Sequence, residues 1–445
     1  YYENGIAEAK ALAAGNDVVE FVTDVNATIR ETMKLIELKE ISKADIDNKC
    51  RKILAAKYWA GLTKLRQIPE ENLSKDLSDP SVKALIRDLY ASSITVLNNE
   101  KEIIPVRDLD RIKIATLAIN SDRITEFQKV LKNYHPSDAY VVETSDQEKS
   151  AELINELSGY DLIIAGIFRT DQRPYNNYGI DKYLNHFLEK LTENNRTIVV
   201  YFGNPYALNK LEALKKSEGL ILAYQENSYT EDLSAQIIYG GIGGRGRLPV
   251  TINTGWPAGF GLNTPGGLRL EYAFPENAGL SSTILTRRID SIANSGLNIK
   301  AYPGCEVMVA RKGKVIFHKT YGFHTYENRT PVSTDDLFDL ASVTKISSTL
   351  AGLLLLNTRG LFSPEKSLGD YLPYFRGSNK ADLSMKDLLA HQAGLVPFML
   401  FWKETMKTDT TYKRRFISHE FSSKHPLKVA DNLYINDKFK KRMDT

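Results

Sequence analysis

Two apolar runs decide the fold class of this chain: Asp161-Leu-Ile-Ile-Ala-Gly-Ile-Phe168 and Thr197-Ile-Val-Val-Tyr-Phe202. Each run is short and almost continuously apolar, which is typical of a strand that is buried on both faces. Residues 183–192 lie between the two runs and have a helical pattern. A strand, a helix and a second strand in this order indicate parallel strands in a sheet that helices cover.

The same alternation continues outward from these runs, from residue 82 to about residue 252. It predicts an α/β sandwich with a mostly parallel sheet. The further predicted strands are 94–97, 112–119, 139–142 and 219–224, and the further predicted helices are 124–133, 148–157, 208–216 and 231–239.

The composition sets limits on function. The chain has 445 residues, 42% hydrophobic and 25% charged, which predicts a globular protein of about three domains. Its net charge of +3 implies no general attraction to nucleic acid. Cys50 and Cys305 have no CxxC partner, and neither HExxH nor HxH occurs, so no metal or organic cofactor is indicated. The longest apolar run, 346–356, is too short to span a bilayer.

The segments on either side of the sandwich have other patterns. Gly15-Asn-Asp-Val-Val-Glu-Phe-Val22 predicts a buried strand, an amphipathic helix is expected over 26–38, and Ser42-Lys-Ala-Asp45 matches a capping box. The glycine-rich run 240–247 lacks the spacing of a phosphate-binding loop and predicts a turn before an edge strand. The predicted order is a strand followed by helices at 1–62, the sandwich at 63–252, a linker at 253–283, and a third domain at 284–445.

The motif with the clearest chemistry is Ser342-Val-Thr-Lys345, at the start of a helix predicted to be buried and to run to about residue 359. Three residues is just under one helical turn, so both side chains share a face. A serine hydroxyl needs a base within hydrogen-bond reach to become a nucleophile, and a lysine serves if burial or nearby cations lower its pKa. The N–H groups at a helix start also favour developing negative charge.

Chance competes with this interpretation. A second match, Ser363-Pro-Glu-Lys366, contains a proline, and no apolar helix follows it, which predicts a turn. Ser342 could equally be a plain helix cap beside a solvated lysine, and the four residues alone favour that alternative.

An ordered series of motifs around Ser342 resembles the serine β-lactamase and penicillin-binding-protein-like hydrolases. It runs from Pro303-Gly304 through the hairpin around 311–314 and Tyr321-Gly322 to Leu368-Gly-Asp-Tyr-Leu-Pro373 and His391-Gln-Ala-Gly-Leu395. The resemblance implies that Ser342 is the acylated nucleophile, Lys345 its base, and His391 part of a structural loop. Tyr434-Ile-Asn436 fits the family's Tyr-x-Asn only by letters, and the Lys/His-x-Gly strand is absent, so we expect a partial α+β domain.

Residues 1–252 carry a second resemblance, to family 3 glycoside hydrolases. Its motifs are Ala11-Leu-Ala-Ala-Gly15, Arg51-Lys-Ile-Leu-Ala-Ala-Lys57, Ser93-Ile-Thr-Val-Leu97 and the expected closing strand Gly246-Arg-Leu-Pro-Val250. The resemblance implies the end of a (β/α)8 barrel followed by the family's sandwich. The family's nucleophilic aspartate is expected upstream of residue 1, and Asp17 and Asp24 are predicted to be structural.

The order of the three domains resembles fusion glycosidases of Bacteroidetes. It implies a retaining β-N-acetylhexosaminidase joined to an S-x-x-K serine hydrolase, with a glycan or peptidoglycan-derived substrate and a periplasmic or cell-surface location in a Gram-negative bacterium. The alternatives are a serine esterase or D-amino-acid peptidase with the glycosidase parts as scaffold, and a non-catalytic glycan-binding module. The oligomeric state is left open, and we expect the chain to be an internal part of a longer protein.

Overall fold

A computed structural model describes residues 3–64, 70–396, 400–408 and 411–439 of the chain. The chain divides into two compact units, Tyr1–Asp335 and Asp336–Thr445. The domain boundaries expected after residues 62, 252 and 283 stay predictions.

The first unit begins with five helices: α1 (Ile6–Ala13), α2 (Val25–Glu37), α3 (Lys43–Trp59), α4 (Leu73–Leu77) and α5 (Pro80–Ser93). The predicted capping box at the start of α3 is confirmed. The backbone N–H of Asp45 donates to the Ser42 hydroxyl at 3.1 Å, and the N–H of Ser42 donates to the Asp45 carboxylate at 3.0 Å. These two bonds satisfy N–H groups that a helix start leaves without partners.

The strand expected over residues 15–22 is wrong: this segment is irregular. Val18 is 55% exposed and Phe21 is 95% exposed with a left-handed backbone. A strand forms only where a neighbouring backbone takes its hydrogen bonds, and no neighbouring strand pairs with it in the part of the chain that the structure describes. A barrel is therefore not confirmed.

The mostly parallel sheet is confirmed, and it has six strands in the order β1-β6-β5-β4-β2-β3. Its parallel pairs are β2 with β3, β2 with β4, β4 with β5 and β5 with β6, whereas β1 runs antiparallel to β6. The strands are β1 (Thr95–Asn99), β2 (Ile114–Ile119), β3 (Asp138–Val142), β4 (Leu162–Ile167), β5 (Thr197–Tyr201) and β6 (Gly219–Leu222).

Helices cover both faces of this sheet, and each face has a buried apolar core. The helix predicted over 208–216 is wrong in type, because short 3₁₀ turns occupy Pro205–Lys210 and Glu212–Lys216. Other 3₁₀ turns lie at Glu100–Glu102, Pro174–Gly179 and Pro275–Ala278. The covering helices are α6 (Glu126–Lys132), α7 (Gln147–Leu157), α8 (Lys182–Asn194) and α9 (Ser228–Tyr239).

The glycine-rich run after α9 is a turn packed tightly on the sandwich. A Cβ at Gly246 would lie 2.2 Å from the carbonyl oxygen of Ser93, so only glycine fits there. The closing strand expected over 246–250 is wrong, because the segment is irregular. Pro249 supplies no N–H for a ladder, which disfavours a strand at this point.

The guanidinium of Arg87 on α5 is the centre of a buried polar network. Arg87 is 3% exposed, and its Nη1 donates to the Glu271 carboxylate at 2.8 Å. Its Nη2 donates to the carbonyl oxygen of Tyr272, and its Nε lies 3.8 Å from the carboxylate of Asp232 on α9. Gln236 on the same helix exchanges two hydrogen bonds with the Tyr272 backbone. The network fixes residues 271–272 against α5 and α9.

Asp232 gives this network a dependence on pH. Burial raises the pKa of its carboxyl to about 6, although the nearby Arg87 charge acts in the opposite direction. A carboxyl whose pKa is raised on folding contributes stability below about pH 4, and that contribution is lost as the pH rises through 6. When the pH is raised from 4 to 7.5, wild type loses this contribution and Asp232→Asn does not. We therefore expect the free energy of unfolding of Asp232→Asn to rise by about 2 kcal/mol relative to that of wild type over this pH interval. Urea unfolding at both pH values measures this, and a difference that stays constant contradicts it.

The first unit ends with a smaller sheet, in the order β7-β9-β8, and a long helix. The predicted hairpin is confirmed: β8 and β9 are antiparallel around a turn in which Lys312 and Gly313 both have positive φ. The elements are β7 (Glu271–Tyr272), α10 (Ser282–Asn298), β8 (Gly304–Arg311) and β9 (Lys314–Gly322).

The second unit consists of short elements. It begins with a 3₁₀ turn at Ala341–Val343 and a π-helical turn at Lys345–Leu350, and another 3₁₀ turn lies at Pro373–Phe375. The helices are α11 (Ala351–Thr358), α12 (Leu368–Tyr371), α13 (Met385–Leu389) and α14 (Phe401–Thr405). The strands are β10 (Met406–Thr408), β11 (Thr411–Tyr412), β12 (Ile417–Ser418), β13 (Leu427–Ala430) and β14 (Leu433–Ile435).

Candidate active site

Ser342 and Lys345 meet as the spacing of the motif predicts. The Lys345 Nζ atom donates a hydrogen bond to the Ser342 Oγ atom at 3.0 Å. The two residues lie on consecutive turns, one 3₁₀ and one π-helical, that continue into α11. Both side chains are exposed, so the structure supplies the contact between amine and hydroxyl but not the burial that we expected around the lysine. Their catalytic roles stay a prediction.

The backbone immediately before Ser342 is strained. Ala341 has a φ of 43°, in the left-handed region that alanine rarely adopts. Its N–H donates to the Asp339 carboxylate at 2.8 Å, which closes a local turn at this point. Strained backbone persists only where surrounding contacts hold it, and it is common at functional sites. π-Helical turns such as Lys345–Leu350 are also frequent at such sites.

The burial expected for the helix after Lys345 is wrong. The helix forms, but its apolar side chains are exposed: Ile346 is 66% exposed and Leu354 is 60% exposed. Among residues 336–396, 400–408 and 411–439, no element covers them to the degree that their apolar pattern predicts. An apolar pattern in a sequence indicates which face of a helix can be buried. It does not indicate whether another element packs on that face.

The other motifs of this unit lie in turns and loops. Ser363 to Lys366 form a turn, with the N–H of Lys366 donating to the carbonyl oxygen of Ser363 at 3.3 Å. His391 lies in the loop directly after α13, with a left-handed backbone. The side-chain amide of Asn436, after β14, donates to the carbonyl oxygen of Lys424 at 2.7 Å.

Asp17 and Asp24 have the structural contacts predicted for them. The Asp24 carboxylate caps α2 by accepting from the N–H of Ala27 at 2.8 Å. The Asp17 carboxylate accepts from Lys52 Nζ at 3.1 Å, in an exposed ion pair.

A polar cluster at the carboxyl edge of the large sheet was not predicted. Asn120, Arg169 and Tyr224 follow β2, β4 and β6, and all three have a left-handed backbone although none is glycine. The Arg169 guanidinium lies 3.0 Å from the Asp122 carboxylate, and the backbone N–H of Arg169 donates to the Glu226 carboxylate at 2.7 Å. The available signal was position: Asn120 and Arg169 come directly after predicted strands, and Tyr224 is the last residue of one.

This cluster occupies the place where open α/β sheets bind ligands. Strands β2 and β4 are neighbours, but the helix after β2 packs on one face and the helix after β4 on the other. The loops after the two strands therefore diverge, which opens a crevice at their carboxyl ends.

Other kinds of site are absent from the residues that the structure describes. No group of three or more histidine, cysteine, aspartate or glutamate side chains is placed to hold a metal ion there. In the same ranges no helix combines the length and apolarity needed to cross a membrane.

Comparison with known protein families identifies the carboxyl-terminal part of the chain. Residues 289–425 match the family model Beta-lactamase, so this segment is a β-lactamase-family domain and the resemblance drawn from the motifs around Ser342 is confirmed. Within the same class, the chain is 30% identical over 130 residues to Esterase EstB of Burkholderia gladioli, which is 28% of this chain and 33% of that protein.

The chain is also similar to two proteins that are named as glycosidases. The chain is 23% identical over 272 residues to a protein of Formosa agariphila named "Putative beta-xylosidase", covering 55% of this chain and 36% of that protein. It is similar, with 18% identity and a TM-score of 0.40, to a glycoside hydrolase family 3 β-N-acetylglucosaminidase from Paenibacillus sp. str. FPU-7, covering 57% of this chain and 48% of the other. The chain spans about a third of the length of Esterase EstB and of the Formosa protein.

Proposed function

We propose that the protein is a hydrolase with two chemistries, acyl transfer through Ser342 and cleavage of terminal β-N-acetylhexosaminides by a retaining mechanism. The observation that carries the first chemistry is the 3.0 Å hydrogen bond from Lys345 Nζ to Ser342 Oγ. It lies at the start of a helix, inside the segment that matches the Beta-lactamase family model.

The acyl-transfer step follows from this contact. A neutral Lys345 amine accepts the proton of Ser342 as the Oγ atom bonds to a carbonyl carbon. The protonated amine then gives that proton to the departing alcohol or amine, which leaves an acyl-serine. Water then attacks the acyl carbon while Lys345 accepts one of its protons. The bond between the acyl carbon and Ser342 Oγ breaks, the carboxylic acid leaves, and Lys345 passes the proton from water to Oγ.

An ester or a D-amino-acid amide is the substrate class for this site. The names of two relatives support it: Esterase EstB of Burkholderia gladioli, and Penicillin-binding protein 4* of Bacillus subtilis, which is 30% identical over 93 residues, or 21% of this chain and 20% of that protein. Labelling with a fluorophosphonate and with a fluorescent penicillin distinguishes an esterase from a D-amino-acid peptidase. We expect the fluorophosphonate to label Ser342, and labelling by penicillin as well favours the peptidase.

The second chemistry is supported by the match to the Formosa agariphila protein and by the polar crevice between β2 and β4. The ligand that we propose is a glycan or a peptidoglycan fragment. The proposed location, the periplasm or the surface of a Gram-negative cell, is the one that the family resemblance implies. None of the 445 residues is assigned as the sugar nucleophile. The β-N-acetylhexosaminide itself is the substrate that the family resemblance implies.

Aryl glycosides test this second chemistry. Expressed from its complete gene, the protein is expected to release nitrophenol from the β-N-acetylglucosaminide at least about tenfold faster than from the β-xyloside, because a pocket built for the acetamido group loses hydrogen bonds to the xyloside. Absence of release by a folded protein removes the glycosidase proposal. Sugar binding by calorimetry without release identifies a non-catalytic glycan-binding module instead.

A further inference from the structure

A cavity of about 390 Å³ lies between α7 and α8, on one face of the large sheet. It is distinct from the Ser342 site and from the crevice at the sheet's carboxyl edge. Residues of both helices line it, together with Thr144 in the loop before α7. Its volume falls in the range of small-molecule sites, which extends from about 300 to 1,000 Å³.

Part of the cavity lining is apolar and aromatic. Phe187 and Ile154 both line it and are 3% and 8% exposed, and the half-buried ring of Tyr183 lies beside them. A ligand that contacts these side chains needs an apolar or aromatic body.

The lysine of the lining favours an anionic ligand. No aspartate or glutamate is among the residues that line the cavity, whereas Lys190 and His186, four residues apart on α8, share one side of it. The Lys190 Nζ atom is 4.0 Å from the Glu193 carboxylate, in a pair that is about half exposed and therefore weak. Glu193 has a closer partner in Lys216, at 3.1 Å. The Lys190 charge is thus only lightly compensated by this carboxylate.

The lining also includes a buried hydroxyl without a partner. Ser150 on α7 is 8% exposed, and its Oγ atom has no hydrogen-bond partner in the structure. Buried polar atoms are almost always hydrogen-bonded, and an exception calls for a missing water, ion or ligand group. A polar group held in the cavity supplies what Ser150 lacks.

We propose that this cavity binds a small amphipathic anion, namely a carboxylate attached to an aromatic or apolar body. The body packs on Phe187 and Tyr183, the carboxylate pairs with Lys190, and Ser150 donates a hydrogen bond to the bound molecule.

Three matched probes test the charge requirement by calorimetry on the full chain: 3-phenylpropionate, 3-phenylpropanol and 3-phenylpropylamine. We expect saturable binding of the acid, at least fivefold weaker binding of the alcohol, and no detectable binding of the amine. Equal binding of all three, or no binding of the acid, overturns the proposal.

Three variants test the location. Lys190→Gln is expected to weaken binding of the acid about fivefold and to leave binding of the alcohol unchanged. Lys215→Gln replaces a lysine outside the cavity and is expected to change the binding of neither probe. Ala151→Trp places a large ring into the cavity from an exposed helical position and is expected to abolish binding of both the acid and the alcohol. Binding of the acid that survives Ala151→Trp in a folded chain lies elsewhere and refutes the assignment.

Ser150→Ala tests the hydroxyl separately. Removing an unpartnered buried hydroxyl is expected to raise the melting temperature of the free chain and to weaken binding of the acid about threefold. A variant that binds the acid as tightly as wild type shows that Ser150 takes no part in the site.

Discussion

Replacing Ser342 by alanine is expected to lower fluorophosphonate labelling of the chain by about 10³-fold or more, to background. The reason is that the Oγ atom, which Lys345 Nζ contacts at 3.0 Å, is the nucleophile in our proposal. Lys345→Ala should slow labelling by about 10² to 10⁴-fold, because the hydroxyl then lacks its base. Gel fluorescence against time, with the labelled peptide identified by mass spectrometry, measures both rates.

Two serines provide matched controls for this experiment. Ser363 belongs to the other Ser-x-x-Lys match but lies in a turn, and the Ser347 hydroxyl donates to the carbonyl oxygen of Val343 at 3.0 Å. Alanine at either position should leave labelling at the wild-type rate. Labelling that persists in Ser342→Ala assigns the nucleophile to another residue, and a wild-type chain that does not label refutes acyl transfer by this chain.

Replacing Arg87 by methionine is expected to reduce the free energy of unfolding by about 3–5 kcal/mol. The substitution keeps much of the side-chain volume but leaves the Glu271 and Asp232 carboxylates without the buried cation that they share. Removal of one partner from a buried ion pair is costly because the remaining charge stays desolvated. Lys314 also pairs with Glu271, which holds the loss within this range. Urea unfolding monitored by circular dichroism measures the change.

Arg329→Met is the matched control for Arg87→Met. The Arg329 Nε atom lies 3.1 Å from the Glu327 carboxylate, and the two side chains are 82% and 65% exposed. Exposed pairs contribute at most about 1 kcal/mol, because water replaces the lost partner. If the two variants lose equal stability, the Arg87 network is no more important than a surface ion pair.

Local patterns predicted the sandwich well because they depend on neighbouring residues. The continuous apolar run at 197–202 became β5 (Thr197–Tyr201), and the Ser42–Asp45 capping box formed. In contrast, the apolar run at 15–22 formed no strand, because a strand requires a partner that its own sequence does not supply.

The candidate site was predictable in part. The contact between Ser342 and Lys345 follows from helical spacing, whereas the exposure of Ile346 and Leu354 depends on which surfaces cover the helix. The left-handed backbone of Ala341 also has no signature in the sequence, because alanine is not a residue that adopts it readily. Features set by distant contacts are therefore the ones that the pattern did not predict.

The Arg87 network also orders events during protein synthesis. Arg87 and Glu271 are 184 residues apart, so the guanidinium emerges from the ribosome long before its carboxylate partner. The sandwich cannot finish packing on the nascent chain until residue 271 has been translated. An expression vector whose insert stops at residue 252 would encode all six strands of the sheet and Asp232, but it would omit Glu271, the nearer of the two carboxylates that pair with Arg87.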